Sequence, residues 1–580
     1  MTGKKQHDRP AELKGFSKFV RSTMEAWKVP GAAIAVVRDG EIVFMRGFGL
    51  RDVENGLPVT PQTIFALASG TKAFTTMALG LLADQGKLDW DTPVRHYLPD
   101  FKLHDPFATE RITPRDLVTH RSGLPRHDMA WYNSPYEREE LVHRLRYLRP
   151  NKDLREVWQY QNLMYMAAGY LIEHLTGETW ETFVRRHIFE PLGMQGSNFS
   201  VEVSQTLPDY ALPHKDNEGR VEQIPFYNAC AVGPAGAINT NVAGVARWLL
   251  LHLNRGRLGD SQFISEGQIR QMHARQMAMQ QPAKWDELPH KSYGLGWFVE
   301  PYRGHDLIHH GGNLDGFATM TTLMPRDNIG VVVLSNLNGT PLPWLVCLNA
   351  YDRLLGLPEI AWNDRYKRDE AEQKEGEERA RTTSEERRVP ETYPSHPIQS
   401  YAGNFEHPGY GVLRFTHEDG KLHASYNGTQ LPTAHYHYDT FELTHTTWDT
   451  RYKATFATDA RGDIVSVALP LEPTVGDIVF TRMPDPALTD PSVLRSFAGE
   501  YDLFGMPMTI ALVKQGLLAR IPGRPDWPLV PRAGTEFLLK DLSGWSIEFI
   551  RDEGGAVVEA IVTQPDVVLT AKRRDGERTE

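Results

Sequence analysis

The sequence predicts an α+β protein in which an antiparallel sheet, flanked by helices and interrupted by an all-α insertion, is followed by two small antiparallel β-barrels. Three observations lead to this fold. Strand patterns stand at both ends of the first two thirds of the chain, helical patterns fill the stretch between them, and the last third repeats a unit of short strands and turns. A sheet built from both ends of the first region, with helices inserted between them, accounts for this order.

The N-terminal elements are a helix and a hairpin. Residues 10–28 are typical of a helix, and the β-rich run 32–38 turns at Asp39-Gly40 into a second run, 41–47. An Asp-Gly pair between two apolar runs is a strong hairpin signal, because both turn residues tolerate positive φ. We therefore expect the first two strands to pair with each other.

Helical patterns dominate the next stretch, residues 73–253. The helix predicted over 73–85 is stopped by Gly86, and the helix predicted over 163–175 is stopped by Gly177, where glycine suits a left-handed position after the last turn. Strand patterns return further along the chain, in residues 293–299, 317–323 and 329–334.

A charged run, residues 364–388, separates this region from the tail. It is crowded with Glu, Arg and Lys, a composition typical of a solvated linker or an exposed helix and not of a binding site. The segment Ser400–Glu406 is similar to Ser496–Asp502, which lies 96 residues later. Several glycines and phenylalanines repeat at or near the same offset. Two copies of one β unit, each with about eight short strands, are expected. The predicted units are residues 1–362, a charged linker at 363–394, and barrels at 395–485 and 486–580.

Composition and charge restrict the classes of partner. The 580 residues are too many for one core, and the formal charge of -11 is spread along the chain, whereas nucleic-acid binding needs a concentrated basic surface. No run reaches the roughly 18 apolar residues that span a membrane, and the polar N-terminus shows no secretory signal. The two cysteines lack the spacing of a zinc site. We therefore expect a cytoplasmic protein without a nucleic-acid or membrane partner and without a metal.

Ser69 and Lys72 form the S-x-x-K of the chain, where the apolar run 65–68 gives way to the helical pattern of 73–85. Serine and lysine three residues apart lie on one face of a helix. At a helix N-terminus, Ser69 would meet N–H groups that stabilise developing negative charge, and a lysine in a water-poor pocket loses basicity and can accept a proton. Taken alone, the motif favours an N-cap serine and a surface lysine.

Tyr160-Gln161-Asn162 is the Y-x-N of the chain and directly precedes the helix predicted over 163–175. A tyrosine ionises near pH 10, so it becomes a base only beside cations such as Lys72. Asn162 can donate to a substrate carbonyl and accept from an amide or from the lysine. Taken alone, Tyr160 is more typical of a half-buried packing residue.

His310-Gly311-Gly312-Asn313 stands at the entrance to the second group of strands. Alternate residues of a strand share a face, so His310 and Gly312 would point together and His309 would point away. The absence of a side chain at Gly312 would let a substrate approach the backbone. The glycines are what favours His310 over the neighbouring histidine.

The order S-x-x-K, Y-x-N, H-x-G resembles the serine β-lactamase-related, penicillin-binding-protein-like family. Class C β-lactamases, D-alanyl-D-alanine carboxypeptidases, D-aminopeptidases and family VIII esterases belong to it. Two further segments, 117–125 (LVTHRSGLP) and 233–237 (GPAGA), also look similar to the family. The resemblance covers about residues 12–362, and the tail repeats resemble the lipocalin-like barrels attached to some D-aminopeptidases.

The resemblance implies that Ser69 attacks a carbonyl and forms an acyl-enzyme. Lys72 and Tyr160 would take its proton, and Tyr160 would return a proton to the leaving group; which of the two is the acylation base stays open. Backbone N–H groups of Ser69 and Asn313 would form an oxyanion hole, and His310 would close the site. The family requires no metal or organic cofactor.

One departure from the family concerns charge. β-Lactamases of this type carry Lys-Thr-Gly where this chain has His310-Gly311-Gly312, and histidine is only partly charged near neutrality. This favours a serine hydrolase acting on small peptides, D-residues included, as a peptidase or amidase. A carboxylesterase or a transacylase is the alternative within the fold, and a catalytically silent binding scaffold is the alternative of another class. The expected partner is a small-molecule or short-peptide substrate, and a homo-oligomer is left open.

Overall fold

The computed structural model describes residues 10–484, 486–514, 516–542 and 544–574. In chain order, its helices are α1 (Phe16–Ala26), α2 (Thr71–Asp84), α3 (Val94–Tyr97), α4 (Pro106–Arg111), α5 (Pro114–Val118), α6 (Arg138–Arg144), α7 (Asn162–Thr176), α8 (Trp180–Val184), α9 (Glu190–Leu192), α10 (Val201–Thr206), α11 (Gly233–Gly236), α12 (Val242–Leu253), α13 (Glu266–His273), α14 (Leu342–Leu354), α15 (Trp362–Glu386) and α16 (Pro491–Phe497).

Strands of the first region fall into one large sheet and three small pairs. They are β1 (Gly31–Arg38), β2 (Glu41–Asp52), β3 (Leu57–Pro58), β4 (Phe65–Ala66), β5 (His214–Asn217), β6 (Arg220–Gln223), β7 (Asn239–Thr240), β8 (Arg257–Leu258), β9 (Ser261–Gln262), β10 (Met277–Ala278), β11 (Ser292–Tyr293), β12 (Phe298–Tyr302), β13 (His305–Leu314), β14 (Phe317–Met324) and β15 (Ile329–Ser335). The large antiparallel sheet has the order β10-β11-β12-β13-β14-β15-β1-β2-β3.

Both ends of the region meet in the middle of this sheet, because β1 pairs with β15 from Ala32↔Ser335 to Arg38↔Ile329. Strand β1 is buried on both faces, and its alternate side chains enter two different cores. Its even-numbered residues pack in the core that contains α1 and α14, whereas its odd-numbered residues pack in the core that contains α2 and α12. The predicted sheet with helices on both faces and a helical insertion is confirmed.

Local differences from the prediction have local causes. The first helix is shorter than 10–28, because Gly15 adopts φ 84° and α1 begins after it. The strand expected over 293–299 is divided between β11 and β12. Gly296 turns the chain there with φ 81°, and a Cβ at this position would lie 2.6 Å from Oγ1 of Thr76. The insertion also contains the short pairs β4–β7, β5–β6 and β8–β9.

The charged run is a helix, α15, so the exposed-helix interpretation is correct. Its first residue, Trp362, is buried, and most of the remaining side chains are solvated. Ion pairs one turn apart, such as Lys374 with Glu370, support the helix along its exposed length.

The tail forms the two predicted barrel units. The first, barrel 1, is a nine-stranded antiparallel sheet whose ends, β19 and β20, are joined directly by the chain, so that the sheet nearly closes. Its strands are β16 (Gly403–His407), β17 (Gly411–Glu418), β18 (Lys421–Tyr426), β19 (Thr429–Leu431), β20 (Thr433–His437), β21 (Thr440–His445), β22 (Thr450–Thr458), β23 (Ile464–Leu469) and β24 (Ile478–Arg482).

The second unit, barrel 2, is a closed barrel of eight strands in sequential order. They are β25 (Gly499–Leu503), β26 (Met506–Val513), β27 (Gly516–Arg520), β28 (Trp527–Ala533), β29 (Glu536–Leu539), β30 (Ser546–Arg551), β31 (Val557–Gln564) and β32 (Val567–Arg573). The division of the chain into four units with the bounds given above stays a prediction.

The internal repeat is visible as an arginine that plays the same part in each barrel. Arg482 ends β24 and donates to the carbonyls of Ser400 and Ala402, at 2.6 and 2.8 Å. Arg573 ends β32 and donates to the equivalent carbonyls, 96 residues further on, at 3.0 and 2.7 Å. Each arginine therefore fastens the last strand of its barrel to the turn that precedes the first strand.

We expect Arg573→Ala to destabilise barrel 2, because it leaves partly buried carbonyls without their charged donor. Hydrogen bonds to charged groups each contribute about 1.5–3 kcal/mol, so a loss of about 2 kcal/mol in the free energy of unfolding is expected. Denaturant titration of the purified protein measures it. The control is Arg520→Ala, which removes an exposed ion pair with Asp526. Equal effects of the two substitutions would contradict the closing role of Arg573.

Candidate active site

Ser69 lies in a tight turn, Ala68–Gly70, that leads directly into α2. Ala68 adopts φ 50°, in the left-handed region that residues with a side chain rarely occupy. Such backbone strain is maintained only where the surrounding structure fixes it. The turn therefore presents the half-buried Ser69 side chain at the start of the helix, as the S-x-x-K motif predicts.

Lys72 is fully buried one helical turn after Ser69. Its Nζ lies 2.8 Å from Oδ1 of Asn162, 2.9 Å from the carbonyl oxygen of Ala235 and 3.2 Å from Oγ of Ser69. Burial lowers the pKa of Lys72 well below its ordinary value, and the charge of Arg126 lowers it further. In its neutral form, the amine has two N–H groups and one lone pair. Since the amide and carbonyl oxygens can only accept, they take the two N–H groups and leave the lone pair facing Ser69.

Asn162 is held in the orientation that this arrangement needs. Its Nδ2 donates to Oδ1 of Asp128 at 3.4 Å, which turns Oδ1 of the amide towards Lys72. Asn162 is also the first residue of α7, as the Y-x-N position predicts. Two elements far apart in sequence, α2 and α7, are joined by this amide.

Tyr160 covers the other side of Ser69. Its ring lies 4.7 Å from Nζ of Lys72 and 5.1 Å from the guanidinium carbon of Arg126, measured to the ring centroid. Burial raises the pKa of Tyr160 above its ordinary value, although a hydrogen bond with Ser69 works against the shift. The phenol is therefore protonated in the free protein, although the guanidinium of Arg126 lies beside it.

His310 is buried with both ring nitrogens engaged by the protein. Nδ1 lies 2.7 Å from the carbonyl oxygen of Gly311, which can only accept, so Nδ1 carries the proton. Nε2 then accepts from the hydroxyl of Tyr293 at 2.9 Å. Burial lowers the pKa of His310 well below its ordinary value, and the charge of Lys72 acts in the same direction. A neutral His310 differs from the partial charge expected from the sequence.

Gly311 and Gly312 are required by the packing of the protein itself. A Cβ at Gly312 would lie 2.2 Å from the carbonyl oxygen of Leu67 and 3.0 Å from Cβ of Ala68, so the missing side chain lets β13 touch the turn that carries Ser69. A Cβ at Gly311 would lie 2.9 Å from Cε of Met320. From the sequence, the missing side chain of Gly312 was expected to make room for a substrate. In the structure it makes room for the turn that carries Ser69.

A cleft of about 770 Å³ opens over these groups. Six of the eight predicted site residues line it, and the other two lie behind the nucleophile. The lining six are Ser69, Tyr160, His310, Gly311, Gly312 and Asn313, while Lys72 and Asn162 form the hydrogen-bonded layer beneath Ser69. The three motifs, which are separated by up to 241 residues between Ser69 and His310, therefore meet at one place.

Both supporting segments of the sequence contact this site. Ala235, from segment 233–237, accepts from Lys72. His120, from segment 117–125, accepts from the backbone N–H of Gln161 at 3.0 Å through Nδ1, and its ring lies 4.3 Å from that of Tyr160. These segments therefore position the lysine and the tyrosine.

Sequence reasoning missed Arg126 and Asp128. The guanidinium of Arg126 lies over the ring of Tyr160, and its Nε is 2.6 Å from Oδ2 of Asp128. Asp128 in turn accepts a hydrogen bond from Asn162. Both residues directly follow the segment 117–125, and this adjacency was the one available signal. An exposed-looking charged pair on a loop has no periodicity that would separate it from an ordinary surface pair.

Neither a metal site nor a membrane span is evident in the part of the chain that the structure describes. Within it, no group of three or more His, Cys, Asp or Glu side chains is placed to hold a metal ion. Among the same residues, none of the helices combines the length and apolar composition that crossing a bilayer requires.

Comparison with known families identifies the first region. The Beta-lactamase family matches residues 16–347, more than half of the chain. The chain belongs to the Beta-lactamase family. It is a serine hydrolase of the β-lactamase fold. A Domain of unknown function (DUF3471) matches residues 387–482, the range of barrel 1.

Several known proteins are similar to this member of the Beta-lactamase family. Unguisins hydrolase ungD' of Aspergillus campestris is 33% identical over 421 residues, which cover 69% of this chain and 76% of that protein. The octameric penicillin-binding protein homologue from Pyrococcus abyssi has a TM-score of 0.55 at 24% identity, covering 81% of this chain and 99% of that one. The D-amino acid amidase from Ochrobactrum anthropi, complexed with D-phenylalanine, has a TM-score of 0.50 at 22% identity, covering 60% and 98%. These two structures share the fold.

We expect kcat/KM for an uncharged ester to rise with pH, because Lys72 accepts a proton only after losing its own. Its lowered pKa places the midpoint of the rise below the ordinary lysine value of about 10.4. Arg126→Ala removes a positive charge that lowers this pKa, so the midpoint should move to higher pH. Initial rates across the pH range measure it, with Arg270→Ala, an exposed arginine on α13, as the control. A midpoint that Arg126→Ala leaves in place would contradict the assignment.

Proposed function

We propose that this serine hydrolase is a peptidase or amidase acting on small peptides through an acyl-enzyme at Ser69. One observation carries the proposal. Lys72 has two acceptors that occupy its N–H groups, and its remaining position faces Oγ of Ser69 at 3.2 Å. This is the geometry of a general base beside a nucleophile.

In acylation, Oγ of Ser69 bonds to the carbonyl carbon of the substrate while its proton passes to Lys72. The oxyanion that forms is stabilised by the backbone N–H groups of Ser69 and Asn313. Tyr160, which is protonated in the free protein, donates a proton to the leaving nitrogen as the carbon–nitrogen bond breaks, and the ammonium of Lys72 then restores that proton. In deacylation, water attacks the acyl-enzyme ester and gives a proton to Lys72. Lys72 then returns this proton to Oγ of Ser69 as the acid leaves.

His310 has a supporting part in this scheme. Because both of its nitrogens are bonded within the protein, the neutral ring holds β13 and Tyr293 in place and leaves proton transfer to Lys72 and Tyr160. From the sequence, a partly charged His310 was expected to close the site. The structural role proposed here replaces that expectation.

Charge in the cleft favours an uncharged substrate. Each cationic side chain among the described lining residues faces a carboxylate. The pairs are Arg126 with Asp128, Lys284 with Asp369 and Lys291 with Glu300. With a neutral His310 in place of the family's lysine, the described site offers no unpaired cation to a substrate carboxylate. This supports internal peptide bonds, amides and esters over β-lactams with their carboxylate.

Two relatives support the substrate class. The name of the Aspergillus relative describes a hydrolase of unguisins, and that of the fold neighbour describes an amidase of D-amino acids. We extend hydrolysis of small amides, D-residues included, to this chain. A carboxylesterase or transacylase would use the same groups and differ in the acceptor or leaving group. Self-association of the chain and a cytoplasmic location stay predictions.

A fluorophosphonate probe should label the protein once, at Ser69, because only this serine faces the lysine lone pair. Ser69→Ala should lose both the labelling and the turnover, while Ser197→Ala, at another partly buried serine, should keep both. Mass spectrometry of the labelled peptide locates the adduct. D- and L-aminoacyl anilides, short nitrophenyl esters and a chromogenic cephalosporin, assayed side by side, separate amidase from esterase and β-lactamase. Labelling at a different serine, or undiminished turnover by Ser69→Ala, would refute the proposal.

A further inference from the structure

The cleft over Ser69 continues around the edge of β13 into a second compartment. The pairing of β12 with β13 ends at Phe298↔His309, so among the described strands the β12 side of residues 311–313 has no partner. The cavity is lined both by residues on the Ser69 side of this edge and by residues near α14 and α15. A substrate held at Ser69 can therefore extend past the edge into the second compartment.

Aromatic groups dominate this second compartment. We name it the aromatic lobe and define it by six lining residues, Trp285, Phe298, His309, Met320, Trp344 and Tyr366. Two of them belong together, since the rings of Trp285 and Tyr366 lie 5.2 Å apart. The ring of Trp285 is also packed 5.1 Å from the buried Trp362, which fixes the loop that carries it against α15. The lobe is therefore a supported apolar compartment with flat walls.

His309 forms part of the wall of this compartment. Its ring is stacked on Phe298, with centroids 5.3 Å apart, and lies 4.8 Å from Trp344. Nε2 is 2.7 Å from Oε1 of Glu300, and both side chains are 4% exposed. Nδ1, also buried, has no hydrogen-bond partner within the described structure. A buried polar atom without a partner costs about 1–3 kcal/mol, so a ligand whose donor reaches Nδ1 after a small shift of the surrounding side chains gains affinity there.

The unpartnered atom is an acceptor. Burial lowers the pKa of His309, although its hydrogen bond to Glu300 works in the opposite direction. Burial raises the pKa of Glu300, but the hydrogen bond from His309 and the nearby charges of His309 and Lys291 together leave the pKa below its ordinary value. A neutral imidazole beside a carboxylate places its proton on Nε2, so Nδ1 carries a lone pair.

We propose that the aromatic lobe binds an aromatic side chain of the substrate that carries an N–H or O–H donor, an indole or a phenol, with the donor on Nδ1 of His309. The proposal rests on the proposed function of Ser69 and names the substrate class of that site. The ring packs against the aromatic walls of the lobe, and the hydrogen bond to His309 separates indole and phenol from phenyl. Discrimination between ligands with and without the donor is strong, because a ligand that lacks the donor leaves the buried acceptor unpaired.

The N–H contribution can be measured with one methyl group. N-acetyltryptophan amide and its 1-methyl analogue differ in the indole donor, and both enantiomers of each are titrated by ligand-observed NMR and as inhibitors of 4-nitrophenyl acetate hydrolysis. In the unaltered protein, one enantiomer should bind about tenfold or more tighter than its 1-methyl analogue. His309→Phe should reduce this ratio to about one, and Trp344→Ala should weaken both ligands.

The control is His305→Phe, a histidine on the same strand that pairs with Asp327 outside the lobe, and it should keep the ratio. Equal binding of the two analogues by the unaltered protein would overturn the proposal, as would a ratio that survives His309→Phe or no binding at millimolar concentration. NMR binding does not depend on turnover. Failure of Ser69 chemistry would instead appear as absent ester hydrolysis with the binding ratio intact.

A second observation concerns barrel 1, which contacts the site through His127. This residue is fully buried and adopts φ 46° between Arg126 and Asp128. Its backbone N–H donates to Oε2 of Glu472 at 3.1 Å, and its Nδ1 accepts from the hydroxyl of Tyr410 at 2.7 Å. Nε2 donates to a carbonyl of the catalytic region, that of Arg149, at 2.9 Å, which settles the tautomer.

The residues on either side of His127 in the sequence, Arg126 and Asp128, both contact the site. Arg126 covers Tyr160, and Asp128 orients Asn162, which in turn accepts from Lys72. A continuous series of contacts therefore runs from barrel 1 to the amine that faces Ser69. Since strained backbone is maintained by its surroundings, the contacts of His127 with barrel 1 determine where its neighbours stand.

We infer that Glu472 and Tyr410 are positioning residues for catalysis, acting through His127 on Asn162 and Lys72. Glu472→Ala removes the acceptor for the strained backbone, whereas Glu472→Gln keeps an oxygen in the same place. The expected effect of Glu472→Ala is a fall in kcat of about tenfold for a small ester, with KM within about twofold and the pH midpoint of kcat displaced. Glu472→Gln should restore most of kcat, and Tyr410→Phe should lower it by a smaller factor.

Each kcat is divided by the fraction of protein that the fluorophosphonate probe labels, so that unfolded protein does not count. Thr474→Val is the control within barrel 1, since it breaks only the bond of Thr474 to the other oxygen of Glu472. Tyr501→Phe removes an equally buried tyrosine hydroxyl from barrel 2. Normal kcat per labelled site in both Glu472→Ala and Tyr410→Phe would overturn the inference. Loss of labelling in the unaltered protein would instead refute the role of Ser69.

Discussion

The buried amine of Lys72 is the interaction on which the site depends. An amine with no access to water is stable only if its N–H groups have acceptors and its charge is lost or compensated. The carbonyl of Ala235 and the amide of Asn162 meet the first demand, and the lowered pKa meets the second. The same contacts that make the burial tolerable leave one lone pair, and it faces Ser69. Stability of the lysine and reactivity of the serine therefore follow from a single arrangement.

The sheet serves this arrangement by bringing distant parts of the chain together. Pairing of β1 with β15 closes the two ends of the region on each other, and the helical insertion returns α2 and α7 to the edge where β13 passes. The strand can approach the turn of Ser69 only because Gly312 has no side chain. Packing fixes Lys72 within hydrogen-bonding distance of Asn162 and Ala235, which lie far from it in the sequence, and no local preference could achieve this.

Barrel 1 is joined to the catalytic region more closely than a separate module would be. Tyr426 of β18 donates to the carbonyl of Met129 at 2.9 Å, and Trp448 lies 4.4 Å from Tyr132, whose hydroxyl donates to Asp315. A single apolar core runs through both units. Barrel 2 has a core of its own and repeats the closing arginine of barrel 1. The two copies of the β unit therefore differ. Barrel 1 contacts the loops of the site, whereas barrel 2 has a separate hydrophobic core.

The sequence by itself determined the elements and the chemistry that motifs carry. Glycine stops, the Asp-Gly turn and strand alternation predicted the sheet, the insertion and the two barrels, because these depend on local backbone preferences. The order of three motifs singled out Ser69, Lys72, Tyr160 and Asn162. Tertiary structure alone decided the protonation states, since the pKa values of Lys72, Tyr160 and His310 depend on burial that no local pattern reveals. It also decided the parts of Asp128 and Glu472, whose partners Asn162 and His127 come from distant segments, because contacts between segments arise only when the chain has packed.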